Sequence, residues 1–339
     1  MSKKNSSVNL KNEFKDFPDL SNLFLNFKNK LDSLNKKNYA VAVSGGPDSL
    51  ALVALTKAYF YNKKTKFYYV LVDHNIRKNS AKEAKQVQNL LKKHQINLKI
   101  ILNKKKITKN IQGLARNTRY ELLSSYCKRN NIKTLLTAHN LEDQVETFLI
   151  RLSRGSGLKG LSSMSPLTKI DNKINLYRPL LDIKKNSLIK LSKNVFGKYF
   201  KDPSNKNLKY LRTKVRNLKG PLEKSGIEYD QIIKSINNLA LSKATLDEYL
   251  KKIFEDTIRK TKKEILLNFK KFNRLNKEIK IALINESIKR LKNNYYSLRF
   301  KKVENLIVNL GQKNFKQATL GGCIFVLKKD NLCLKIEKT

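Results

Sequence analysis

Apolar positions along this chain change their spacing several times, and each change marks an element. Leu20, Leu23, Phe24, Phe27, Leu31 and Leu34 recur every three or four residues, which predicts a leading helix over Phe14 to Leu34. Tyr39 to Val43 is a short unbroken apolar run, the pattern of a buried strand, and Leu50 to Leu55 opens an apolar helix. Strands are then predicted at Phe67 to Asp73, Leu98 to Leu102 and Thr134 to Thr137, with helices at Ala81 to His94, Ile111 to Arg129 and Leu141 to Leu152. Strands that alternate with helices predict an α/β fold with a doubly wound parallel sheet, whose ligands sit beyond the carboxyl ends of the strands. Gly155, Gly157 and Gly160 then read as a flexible connection able to order over a substrate, and Lys184 to Phe196 resumes as helix. Ile227 to Leu291 keeps a helical period without proline, in a Lys- and Asn-rich context that gives it a basic face. Arg299 to Leu310 reads as helix and Gly322 to Ile336 as strands around a turn at Lys328 to Asn331. The expected organisation is an N-terminal helical extension over 1–35, an α/β domain over 36–220, a helical domain over 221–298 and a small C-terminal α/β domain over 299–339.

Between the first strand and its helix stands Ser44-Gly45-Gly46-Pro47-Asp48-Ser49. Glycines allow backbone conformations that other residues resist, and proline suits the first helical position because its missing N–H would have no partner there. Free amides at a helix start, with the Ser44 and Ser49 hydroxyls, make a cradle for phosphate. The usual phosphate loop ends in Gly-Lys-Ser/Thr; here no lysine follows the glycines, and Asp48 suggests a ligand for Mg²⁺ on a bound phosphate instead.

Composition narrows the partner. Against 72 Lys and Arg stand 27 Asp and Glu, a formal charge of +45 spread over nearly every segment. A proteome-wide drift toward Lys and Asn explains part of this, but a surplus so large makes a polyanion the natural partner, and a nucleic acid before a membrane surface. Cys127, Cys323 and Cys333 form no CxxC pair, which argues against a disulfide scaffold, a zinc ribbon or a cysteine-held cluster and fits a reducing compartment. No apolar run approaches the ~20 residues of a membrane span, and no N-terminal stretch resembles a signal peptide, so the expected location is cytoplasmic, without membrane contact.

Other strand ends carry candidate chemistry. Asp73 and His74 close the second strand, where they either grip an adenosine or merely cap the next segment. Arg116 and Arg119 share a helical face and either meet phosphates or face solvent. After the fourth strand, His139, Asp143 and Glu146 are spaced by four and three, so a helix starting near His139 would turn all three into the crevice; a solvated surface is the bland alternative. His94 ends a Lys-rich helix as a C-terminal charge partner.

The ordered set SGGPDS, VDHNIR, ARNTRY and TAHNLEDQVET, followed by RGSGLKGL from Arg154, RPLL from Arg178, DPSN from Asp202, Arg212 and Arg216, resembles the tRNA(Ile)-lysidine synthetase family of PP-loop ATP pyrophosphatases over about residues 39 to 220. Thr319 to Cys323 resembles the family's small C-terminal part, while Asn140 and Glu142 replace a histidine and an aspartate common in that helix. The resemblance implies an ATP-dependent ligase that joins free L-lysine to C2 of the cytidine at the first anticodon position of tRNA(Ile) with a CAU anticodon, through an adenylated tRNA. It implies Ser44 to Ser49, Asp73 and His74 around ATP, Mg²⁺ on Asp48 and Asp143, and catalysis by Asp48, Arg116, His139, Asp143 and Glu146. It also implies substrate contacts from Arg119, Arg154, Arg178, Asp202, Asn205, Arg212 and Arg216. Two rivals are a PP-loop enzyme of tRNA thiolation, which would want clustered cysteines, and a non-catalytic basic RNA-binding protein, which would not need the loop. The oligomeric state stays open, a homodimer included.

Overall fold

Along β1 (Asn38–Val43) successive side chains enter opposite cores. Tyr39, Val41 and Val43 pack with α1 (Pro18–Leu34), α2 (Pro47–Phe60) and α3 (Ser80–Lys93), whereas Ala40 and Ala42 meet Leu123 and Cys127 of α4 (Ile111–Arg129). A strand covered on both faces has no reason to alternate polar and apolar residues, which is why β1 reads as a continuous apolar run. Residues 18–60, 65–76, 79–105, 111–171, 173–201, 207–261, 264–292, 298, 300–312 and 314–337 are described by the computed structural model of the chain.

The chain forms two compact units, 1–239 and 240–339. In the first, β1 lies between β2 (Lys66–Asp73) and β4 (Thr134–Leu136), all parallel, with β3 (Leu98–Leu102) outside β2. β6 (Asn175–Tyr177) continues the sheet parallel to β4, and β5 (Leu167–Lys169) closes the edge antiparallel, giving the order β3-β2-β1-β4-β6-β5. The order reverses direction between β1 and β4, so the two loops that follow these strands open on the place where such sheets bind ligands. Helix α2 is buried all round from Ser49 to Thr56, because the sheet covers one side and α1 and α7 (Lys185–Phe196) share its core on the other. The doubly wound expectation therefore holds, with β5 and β6 added; at three residues each they are too short to show a period.

In the second unit, β7 (Ile258–Lys260), β8 (Glu264–Asn268), β9 (Gln317–Leu320), β10 (Cys323–Lys328) and β11 (Asn331–Ile336) make an antiparallel sheet in the order β7-β8-β11-β10-β9. Its core joins Ile265, Leu267, Phe325 and Leu334 to Phe272 of α11 (Phe269–Asn273), Ile284 and Ile288 of α12 (Lys277–Leu291), and Val303 and Leu306 of α13 (Phe300–Leu310). The expected continuous helical region over Ile227 to Leu291 is thus corrected: helix α10 (Tyr229–Thr257) ends at two strands, and β8 pairs residue for residue with β11. A boundary at 298/299 would cut one core in two. Gly45, Gly155, Gly197, Gly226, Gly321 and Gly322 all take left-handed backbone, and Gly321-Gly322 turns the chain from β9 into β10.

Candidate active site

At Gly45 the phosphate loop needs glycine twice over. Its φ of 82° is left-handed, and a Cβ there would stand 2.5 Å from Val87 Cγ2. The loop is further pinned by the Phe200 amide, which donates to Gly45 O at 2.9 Å. Pro47 takes the first position of α2, and Leu50 N closes the first helical turn on Gly46 O. Ser44 N donates to Ser49 Oγ at 3.1 Å, and Ser49 Oγ donates in turn to Gly46 O at 3.0 Å, so both hydroxyls of the predicted cradle stand together at its mouth.

Asp48, in the first turn of α2, is half-buried, and its buried oxygen Oδ1 lacks any hydrogen-bond partner among the described residues. Burial pushes its carboxyl up to about 6, opposed by the Lys185 ammonium 3.9 Å from Oδ2 and reinforced by Asp143. Asp143 belongs to α5 (Leu141–Leu152), whose N-cap is Asn140: the Asn140 side chain accepts from Asp143 N at 2.9 Å, and Asp143 Oδ2 accepts from Asn140 N at 3.2 Å. The helix therefore starts two residues after His139, and the expected single face of His139, Asp143 and Glu146 is corrected. His139 lies in the strand-end loop, its Nδ1 3.0 Å from Thr137 Oγ1.

Glu146 is not the vacant acceptor that its spacing suggested. Almost wholly buried, it accepts from Arg212 Nε at 2.8 Å and from Arg216 Nε at 2.7 Å, while Arg212 also reaches Asp143 Oδ1 at 3.1 Å. Two carboxylates and two guanidiniums thus tie α5 to α8 (Leu211–Asn217). Among the other predicted residues, Asp73 serves its own loop: its Oδ1 accepts from Asn75 N at 2.9 Å, which is the capping reading. His74 Nδ1 is buried without a partner among the described residues, and burial, with Arg119 nearby, lowers its pKa. Arg116 is exposed and lies over the Tyr120 ring; Arg154 is exposed; Asp202 and Asn205 lie outside the described residues.

A basic wall faces these acids. Burial, then Arg178, Arg116, Arg119 and Arg212 in that order, lowers the His139 pKa to about 2, which keeps the imidazole neutral and reports a convergence of guanidiniums around it. Arg178 is buried in the sheet edge, with Nη1 donating to Ser165 O at 2.7 Å and to Thr168 Oγ1 at 3.0 Å, and with Nε unpartnered among the described residues. Buried polar atoms without partners, such as Arg178 Nε and Asp48 Oδ1, are groups that a bound ligand can satisfy.

Sequence reading missed the residues that shape this wall. Gln144 clasps the Met164 peptide with both amide atoms, at 2.9 and 2.8 Å, and Arg151 Nη1 donates to Gly160 O and Ser163 O. The expected flexible glycine connection is instead a tethered loop carrying the short helix α6 (Leu158–Leu161). Lys185 was missed as well; a basic residue opening the predicted Lys184 to Phe196 helix was the available signal. His94 proves to be a helix cap stacked edge-on against Phe196 rather than a charge partner, its pKa lowered by burial and then by Lys57 and Lys93.

The three thiols are buried and unpaired, Cys127 in the first unit and Cys323 and Cys333 in the second. Burial raises Cys127 to about 12, far from a reactive thiolate, and Cys323 and Cys333 face Ile336 and Val326 rather than each other. No helix among the described residues is long and apolar enough to cross a membrane.

Comparison with known proteins identifies the family. A family model described as PP-loop domain matches residues 20–222. The tRNA(Ile)-lysidine synthase of Wolbachia pipientis wMel is 36% identical over 310 residues, covering 90% of this chain and 72% of that protein. That of Rickettsia bellii is 31% identical over 316 residues, covering 92% and 72%. Among solved structures, a U34-tRNA thiolase from Methanococcus maripaludis, carrying a [4Fe-4S] cluster, superposes with a TM-score of 0.55 at 19% identity, over 65% of this chain and 79% of that one, a likeness of fold alone. With its phosphate loop, its order of motifs and relatives matched over most of their length, the chain belongs to the tRNA(Ile)-lysidine synthase family of PP-loop proteins.

Proposed function

We propose that this protein joins free L-lysine to C2 of the cytidine at the first anticodon position of tRNA(Ile) with a CAU anticodon, in the cytoplasm, consuming ATP and releasing AMP and pyrophosphate. In the first half-reaction the cytosine C2 oxygen bonds to the α-phosphorus of ATP and pyrophosphate leaves. In the second, the lysine ε-amine bonds to C2 and AMP departs with the oxygen.

The site's residues suit each demand. Amides at the start of α2 and the Ser44 and Ser49 hydroxyls cradle phosphate oxygens. Asp48, with its unpartnered buried oxygen and Asp143 beside it, fits a Mg²⁺ ion. No three His, Cys, Asp or Glu among the described residues form a metal cage, so nucleotide oxygens would complete its shell. Bound there, the ion supplies positive charge against the departing phosphates. Arg116, Arg119 and Arg178 offset charge around the α-phosphate, and neutral His139 orients there without titrating near pH 7. Arg154, exposed in its turn, meets the tRNA in this reading.

The observation that carries the proposal is the four-membered cluster of Asp143, Glu146, Arg212 and Arg216 beside the phosphate loop. It holds both signs of charge in pairs, as the zwitterionic end of an amino acid does, so lysine can exchange its α-carboxylate and α-ammonium for existing partners and leave its ε-amine toward the tRNA. The test is incubation with unmodified tRNA(Ile), ATP-Mg²⁺ and labelled lysine, followed by nucleoside analysis. Label should enter a cytidine-derived nucleoside only when ATP is present. Pyrophosphate release without lysine incorporation into tRNA would overturn the assignment.

A further inference from the structure

The phosphate loop carries no lysine, yet the triphosphate of ATP brings several negative charges to it. The fold delivers one from elsewhere. Lys185, first residue of α7, places its ammonium 3.9 Å from Asp48 Oδ2 with its side chain about one-third exposed. At that distance the pair attracts without a hydrogen bond, and Lys185 Nζ makes none among the described residues, so its three donors remain available. Its backbone is held firmly: Lys185 N donates to Glu142 Oε2 at 2.9 Å, and Leu141 N donates to Ile183 O at 3.1 Å, which stitches the starts of α5 and α7 together. The neighbouring Lys184 is differently used, its ammonium on Asp230 at 2.8 Å.

We propose that Lys185 is the phosphate-binding lysine of this site, a catalytic residue that grips the β- and γ-phosphates of ATP and stabilises pyrophosphate as it leaves. The inference rests on the ATP-cleaving reading above. Before ATP binds, the ammonium lies against Asp48; with the nucleotide and its cation present, Asp48 turns to the cation and Lys185 to the phosphate oxygens. As the cytosine C2 oxygen bonds to the α-phosphorus, the bond from α-phosphorus to the bridging oxygen breaks and its electron pair stays on pyrophosphate. Lys185 donates hydrogen bonds to that growing charge and keeps its protons. The start of α7, with its dipole, adds to the same field.

Lys185→Met removes the charge at similar length, and Lys185→Arg restores it. Single-turnover pyrophosphate release with saturating tRNA should fall on the order of a hundredfold in the Met variant, the usual loss for one preorganised donor, and recover largely in the Arg variant. The lysine KM should stay unchanged, which a merely structural role would not predict. Calorimetric binding of inorganic pyrophosphate with Mg²⁺ should weaken roughly tenfold in the Met variant, the effect of one charge-assisted hydrogen bond. This arm needs no tRNA or turnover, so it judges Lys185 even if the wild type fails to modify tRNA(Ile), a result that would strike the functional reading instead. Should the Met variant misfold, Lys185→Gln is measured in its place. Wild-type release and wild-type pyrophosphate affinity in the uncharged variant would overturn the proposal, as would a defect confined to lysine KM.

Discussion

Asp48 is a carboxylate that the fold keeps under strain. Its pKa of about 6 lies above the ordinary 3.8, so between those values the folded chain holds a proton that the unfolded chain has released. Stability contributed by this group therefore falls as pH rises from about 4 to 6, and the loss is complete at pH 7. Replacing it with Asn removes the loss: Asp48→Asn should melt a few degrees above the wild type at pH 7, on the order of 1–3 kcal/mol, with the difference closing near pH 4. The same variant should release no pyrophosphate. Scanning calorimetry at both pH values checks the first part, and a variant that melts lower at pH 7 would show that the Asp48 carboxylate is not strained. Glu146 is the opposite case, a buried carboxylate fully engaged by Arg212 and Arg216. Glu146→Gln leaves Arg216 without its counter-charge and Arg212 with Asp143 alone, relieved by water because each guanidinium is about one-third exposed, so a loss of about 2 kcal/mol and ~4–8 °C in the melting midpoint is expected. A melting curve identical to wild type would mean that the carboxylate is not held by Arg212 and Arg216 and stands free in the crevice.

Elements with a sustained period were legible in the sequence. β1, α2, α3 and α4 lie within a few residues of their expected bounds because each has enough length to show its burial pattern. β5, β6 and β7, at three residues each, owe their existence to neighbours in the sheet and carry no period of their own. The phosphate loop could be read because glycine, proline and the following helix all constrain one turn. The clasp of Gln144 and Arg151 on residues 160–164 could not, because backbone carbonyls as partners leave no trace in side-chain spacing. The β5–β6 turn is pinned in a way that yields its own test. Burial tends to raise the Asp171 pKa, but Lys128 at 2.7 Å, Ser124 at 2.5 Å and the Lys173 and Ile174 amides together outweigh it and hold the carboxyl below its usual range. A lowered folded pKa contributes stability above the unfolded value near 4 and loses it as pH falls below. Asp171→Asn should therefore lower the midpoint at pH 7 by about 2–8 °C, for roughly 1–2 kcal/mol, and the gap from wild type should narrow at pH 3. A gap that persists unchanged in acid would assign the loss to packing instead.

At the scale of the whole molecule the charge of +45 is the largest single property, and both compact units carry it at about the same density. Assigning RNA binding to the second unit alone, as a basic helical region by itself would suggest, is therefore not favoured by charge. Surface pairs such as Lys243 with Asp247 and Arg290 with Glu286 are already counted within that net charge and take nothing from the excess, and each exposed pair contributes little. If the surplus serves tRNA, binding must release counterions from the RNA phosphates, and log affinity must fall linearly with log salt by about 0.7 to 0.9 per phosphate contacted. A surface engaging five or more phosphates then gives a slope of roughly −4 or steeper, so affinity drops by more than a hundredfold between 50 and 200 mM salt. Compositional drift without a matching RNA track gives a slope near −1, because scattered lysines do not meet phosphates together. Titrating tRNA(Ile) across that salt range distinguishes the two, and repeating the titration with Lys185→Met should return the wild-type slope, since that ammonium serves the nucleotide and not the RNA. A shallow slope in the wild type would separate the charge from the substrate and leave drift as its origin.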